Sequence, residues 1–181
     1  ITMKKYIIFL IIILIHQQVF SQLFIAPGGK LEIKGNTDVT IQNMSLVNNG
    51  TFNSGNGTVH FTGTANNNIE GSSSIEFHDL EMNKTAAAVI SLLQNISIKN
   101  SINFTSGNID LNQKNITLAS TAFLNNENES SHIKGDNGGE ILITLNMNAP
   151  GNLNPGNLGA LISSAQNLGS VTIRRGHKIQ S

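Results

Sequence analysis

From residue 31 onward the chain is punctuated by short apolar-x-apolar pairs: Leu31/Ile33, Val39/Ile41, Val59/Phe61, Ile75/Phe77 and Ile96/Ile98. An apolar residue at every second position is the period of a β-strand with one face buried. The clearest run is Ile102/Phe104, Ile109/Leu111 and Ile116/Leu118, whose pairs begin seven residues apart. A seven-residue period invites a coiled-coil reading, but coiled coils space their apolar positions three and four apart. Here the spacing is two and five. The residues between, Ser106-Gly107-Asn108 and Asn112 to Asn115, are poor helix formers and good turn formers. Helix is excluded.

Units of about seven residues are short for an antiparallel sandwich, where turn signals come every 8–12 residues. They suit a parallel β-helix, or β-solenoid, in which three strand-turn units make a rung of roughly 20 residues. Inward Ile, Leu, Val and Phe would then stack on like residues of neighbouring rungs as a continuous apolar column. The span from Gly28 to Met147 holds about six such rungs, a rod near 30 Å long at ~4.8 Å per rung. Gly and Asn belong at its corners because both tolerate left-handed backbone geometry, and stacked Asn amides can ladder. The competing reading is an antiparallel β-sandwich with hairpins at Asn49-Gly50, Asn56-Gly57 and Asn137-Gly138. At Ala149 the pattern changes. Pro150-Gly151-Asn152-Leu153 and Pro155-Gly156-Asn157-Leu158 repeat a turn motif, and Val171-Thr172-Ile173 reads as a strand. The chain therefore divides into 1–21, a β-solenoid region over 22–148, and 149–181 as the truncated start of a following β domain.

The first of those segments is a leader. Ile1 and Thr2 precede Met3, which reads as the initiator. Lys4 and Lys5 form a basic n-region, Tyr6 to Ile15 an unbroken apolar run, and Val19-Phe20-Ser21 a small-residue cleavage site. A bilayer-spanning helix needs about 20 apolar residues, and this run has about half of that. Cleavage after Ser21 would put the mature chain outside the cell or on its surface, without a membrane span. The whole sequence balances 11 Lys and Arg against 11 Asp and Glu. Losing Lys4 and Lys5 leaves a formal charge of −2, with no pull toward nucleic acid or anionic lipid. Zero Cys rules out disulfides, thiolate zinc sites and Cys nucleophiles.

Candidate chemistry is thin. The densest polar set, Glu76, His78, Asp79 and Glu81, has Glu76 and His78 facing outward beside an inward Phe77, with Asp79 starting a turn. A glycosidase needs two carboxyl groups about 5–9 Å apart across its substrate, which this set reaches only by accident of the turn. His60, His78, His132 and His177 lack metal-ligand spacing. Asp136-Asn137-Gly138-Gly139-Glu140 mixes oxygen ligands with glycine turns but has too few ligands for a calcium loop. Arg174 and Arg175, adjacent on a strand, should point to opposite faces and into ion pairs at an interface. No catalytic, cofactor-binding or metal-ligating residue is assigned, and no cofactor is called for.

The stretch Gly50-Thr51-Phe52-Asn53-Ser54-Gly55-Asn56-Gly57-Thr58-Val59-His60-Phe61-Thr62-Gly63, running on to Phe77-His78-Asp79-Leu80-Glu81-Met82-Asn83, resembles a repeat of secreted surface proteins of Bacteroidota. Phe104-Thr105-Ser106-Gly107-Asn108-Ile109-Asp110-Leu111 and Asn154-Pro155-Gly156-Asn157-Leu158-Gly159-Ala160 follow the same pattern. The resemblance implies a solenoid-like region of a larger exported protein, carried by type IX secretion, though no sorting domain is present in this sequence. It supplies no catalytic residues. The function expected is a non-enzymatic, adhesin-like or stalk-like presentation module, with glycans, other surface proteins and downstream domains of the same polypeptide as partners. The alternatives are a β-helical polysaccharide lyase or hydrolase and a carbohydrate-binding accessory module. The absence of Trp and the single Tyr, which lies inside the leader, speak against both, since sugar sites stack rings on Trp or Tyr.

Overall fold

A computed structural model describes residues 21–85 and 87–176. Residues 1–20, where the sequence suggests a leader, and His177 lie outside the described residues. The chain is a parallel β-solenoid of six rungs. The first rung is built of β1 (Gln22–Ile25), β2 (Lys30–Glu32) and β3 (Val39–Gln42), the second of β4 (Ser45–Asn48), β5 (Thr51–Asn53) and β6 (Thr58–Gly63). β7 (Asn67–Glu70) and the long β8 (Ile75–Lys84) make the third, β9 (Val89–Leu92) and β10 (Ile96–Ser106) the fourth. β11 (Asn108–Asp110), β12 (Asn115–Leu118) and β13 (Phe123–Asn125) complete the fifth. The sixth begins with β14 (Ile133–Lys134) and β15 (Glu140–Asn148).

Three faces result. The first is one six-stranded sheet, β1-β4-β7-β9-β11-β14, parallel at every step. The second runs from β2 and β5 through the leading halves of β8 and β10 to β12 and β15. The third joins β3, β6, the trailing halves of β8 and β10, and β13. The run Ile102/Phe104, Ile109/Leu111, Ile116/Leu118 lies on the third, first and second faces in turn, all six side chains buried. One seven-residue period is thus one side of the triangle. In β8 and β10 the corner between the second and third faces is made without leaving the strand. Burial alternates up to Phe77, breaks at His78-Asp79, and resumes at Leu80, with a register shift opposite in β10. Asp79 therefore sits inside a strand at a corner, where the sequence had suggested a turn.

Register fixes the columns. On the second face Phe77, Ile98, Leu118 and Ile143 stack, and Phe52 meets Phe77 edge-on at 5.4 Å. On the third face Val39, Val59, Leu80, Ile102 and Leu124 stack, beside Ile41, Phe61, Met82 and Phe104. The first face carries Leu23, Leu46, Ile69 and Leu92, each 23 residues from the last. Elsewhere the offset is as short as 19 (Ile90 to Ile109) and as long as 25 (Ile116 to Ile141), the slack being taken up at the corners. Each such side chain contributes about 1.5–3 kcal/mol on burial, and the register sets it directly over its counterpart in the next rung.

The corners fall to Asn and Gly. Asn43, Asn112 and Asn126 adopt positive φ there, and Asn126 donates to Asn103, and Asn137 to Asn112, as amide pairs between rungs. At Gly71 (φ +133) a Cβ would fall 2.1 Å from the Asn48 carbonyl oxygen, so only glycine lets the corner close on the rung before it. The buried Asn48 amide in turn donates to the Ser74 carbonyl at 2.8 Å. The hairpin alternative fails on pairing. Strands on either side of Asn49-Gly50, Asn56-Gly57 and Asn137-Gly138 pair in parallel with neighbouring rungs and not with each other.

At the far end the chain reverses. A single 3-10 turn at Pro155–Asn157 lays the buried Gly156 beside Leu118 and Ile143, and Asn157 donates to the Leu124 carbonyl at 2.8 Å. β16 (Asn167–Gly176) then pairs antiparallel with β15. Alternation sends its two arginines to different acids: Arg174 to Glu140, and Arg175, forked at 2.8 and 2.9 Å, to Glu127.

Phe77 is fully buried and touches the rings of both Phe52 and Phe61. Phe77→Ala should therefore cost about 3–5 kcal/mol, as expected for a large cavity in a core that cannot collapse across rungs. Denaturant unfolding measures this, and an unchanged midpoint would contradict the stacked core.

Candidate functional site

Outward positions of the third face carry the densest polar chemistry among the described residues. His60 on β6 stands beside Glu81 on β8 through the parallel register, with Nδ1 2.9 Å from the Glu81 carboxylate and Nε2 3.6 Å from that of Asp38. Three rungs are thereby linked along one line. Thr105 extends it into the fourth, its hydroxyl donating to Glu81 at 3.1 Å. Asp38 accepts the Thr58 backbone N–H at 3.1 Å, and this bond above all lowers its pKa below the ordinary value.

A second cluster sits at the corner in β8 and β10. Asp79 accepts from Asn100 at 2.8 Å, from His78 Nδ1 at 2.7 Å and from the Ser101 hydroxyl. Burial acts to raise the Asp79 pKa, but the donors Ser101, Asn100 and His78 together outweigh it, and the carboxyl lies below its usual range.

The four residues singled out in the sequence are thus divided. Glu76 lies on the second face in an ion pair with Lys99 at 2.9 Å, His78 and Asp79 hold each other at the corner, and Glu81 belongs to His60 on the third face. Glu76 and Glu81 do not face one another across a cleft. Of the calcium-like run, Asp136 is held by Lys134 at 2.6 Å and Glu140 by Arg174. Among the described residues no three His, Asp or Glu side chains converge as a metal site would require. No helix there is long and apolar enough to cross a membrane.

Two features escaped the sequence reading. The His60–Glu81 contact joins residues 21 apart, and only the rung offset brings them together. Lys84 is the other: it is 2 % exposed and donates to the Thr62 carbonyl at 3.1 Å and to Asn67 Oδ1 at 3.0 Å. Its signal was present, because Leu80, Met82 and Lys84 share one phase of the strand alternation, and that phase points inward. Burial lowers its pKa.

No known protein family, curated protein or solved structure matches the chain. The fold and its surface therefore carry the functional argument.

Asp79→Asn should lower stability by about 1–3 kcal/mol at neutral pH, since charge-assisted bonds weaken to neutral ones. A carboxyl whose folded pKa is depressed stabilises the fold above its unfolded value, near 3.9, and loses that contribution as pH falls through the folded value. The gap between parent and variant should thus close in acid. Denaturation at pH 7 and at pH 2 checks this, and a gap of equal size at both would contradict it.

Proposed function

We propose that the chain is a non-enzymatic exported protein of the cell surface, its β-solenoid serving as a stalk or adhesin-like presentation module. The observation that carries this reading is the division of the rung into stacked apolar columns inside and repeated hydroxyl, amide and carboxylate groups outside. Such a rod places outward polar side chains at about 4.8 Å intervals along a face, as in the column His60, Glu81, Asn103 and Asn125. Single hydrogen bonds to sugar hydroxyls are weak, but repetition multiplies them through effective concentration. The leader at residues 1–21 and the resemblance to type IX-exported Bacteroidota proteins support a surface location. The reversal after Ala149, seated on the last rung, would serve as the base on which downstream domains of the polypeptide are mounted.

Two measurements test this. Protease shaving of intact cells should release peptides of the solenoid, and N-terminal sequencing should begin at Gln22. Retention of the chain inside the cell would overturn the reading. On a glycan array, a clustered tetramer should bind at least about a hundredfold more tightly than the monomer. Binding by neither form removes adhesion and leaves the stalk.

A further inference from the structure

The first corner of the solenoid beside β4 and β7 encloses a depression of about 440 Å³, within the range of small-ligand sites. Asn43, Ser45, Asn66, Asn67 and Asn68 line it, with Ser21 at one side. What distinguishes it is the state of its acceptors. Asn43 Oδ1 already accepts the backbone N–H groups of Thr64 and Ala65, at 2.7 and 2.9 Å. Asn66 Oδ1 accepts the Val89 N–H at 2.9 Å, and Asn67 Oδ1 accepts from Lys84 Nζ at 3.0 Å. The Ser45 hydroxyl oxygen accepts the Asn68 N–H at 3.0 Å. These partners can only donate, so the amide orientations of Asn43, Asn66 and Asn67 are fixed, and their N–H groups and the Ser45 O–H remain to be offered. Asn43 Oδ1 has both acceptor places filled and the others named have one filled, so N–H and O–H donors outnumber the acceptor places left on the lining.

Charge agrees with this. Lys84 lies buried behind Asn67 and forms no ion pair among the described residues, and no carboxylate lines the depression. The acid nearest along β7, Glu70, stands two positions beyond Asn68. The geometry points to a binding site for the carboxylate of an acidic saccharide, such as a uronic acid, held by the amide and hydroxyl donors of Asn43, Ser45, Asn66 and Asn67. This deepens the surface-module reading and rests on it for the glycan class. Processing after Ser21 would sharpen the site. Cleavage removes Ser21 from the lining, frees the Ser45 N–H that the Ser21 carbonyl accepts at 3.0 Å, and sets the α-amine of Gln22 at the rim.

Calorimetry on the chain beginning at Gln22, with oligogalacturonate and its methyl-esterified form as the two probes, tests the assignment. The acid form should bind at least tenfold more tightly than the ester. Asn68→Asp places a carboxylate in the lining at a half-buried position and should remove most acid binding while the circular dichroism of the β-solenoid stays unchanged. Lys84→Met, where it folds, should bring the two affinities together. Equal affinity for acid and ester, binding of neither, or an Asn68→Asp variant that binds the acid as the parent does would each overturn the site. None of these results bears on surface location, which shaving of intact cells reads separately.

Discussion

Stacking of like upon like along the rod axis is the interaction on which everything else depends. A rung of roughly 20 residues closes around too little apolar surface to offset the conformational entropy of ordering it. Phe77 meets the rings of Phe52 and Phe61 in the rung before it and stacks on Ile98 in the rung after it. The parallel backbone ladder and the side-chain columns enforce the same register, because a slip of one residue would turn Leu80 and Met82 to water and Glu81 into the core. Six rungs satisfy one another in series, and the ends need separate treatment. At the far end Gly156, Leu158 and the antiparallel β16 supply it.

This division of labour explains the surface. Since the interior is filled by columns, outward positions are free of packing demands and bear the charged and hydroxyl side chains. Their neighbours are residues one rung away, not residues nearby in sequence. The His60–Glu81 pair, the Asp79 cluster and the donor-lined corner at Asn43 and Asn67 are all inter-rung constructions. Repetition of offset is what makes them possible, and variation of offset, from 19 to 25 residues, is what makes each of them different.

Lys84 shows the tension between pattern and chemistry. It occupies an inward phase that aliphatic residues fill elsewhere, and the fold accommodates its amine by giving it a backbone carbonyl and an amide oxygen at a corner. Burying an ammonium with neutral acceptors alone is costly. The same arrangement turns the Asn67 amide toward donation, which ties a core anomaly to the character of the adjoining depression.

The sequence by itself determined the strand period and ruled out helical spacing after the leader. It favoured a three-sided rung of roughly 20 residues over a sandwich, since apolar residues recur over two and seven positions; parallel pairing between rungs decided between the two. The sequence also placed Asn and Gly at corners, because few other residues accept that backbone. Tertiary structure alone decided which rung residue meets which. Offsets differ by several residues between corners, so Glu76 parted from Glu81 across a corner, Glu81 found His60, and Arg175 found Glu127. The corner made inside an unbroken strand at His78-Asp79 has no Gly or Asn to mark it, whereas its counterpart in β10 carries Asn100. Contacts of that kind depend on the sum of loop lengths around a turn of the rod, a quantity no local window of sequence contains.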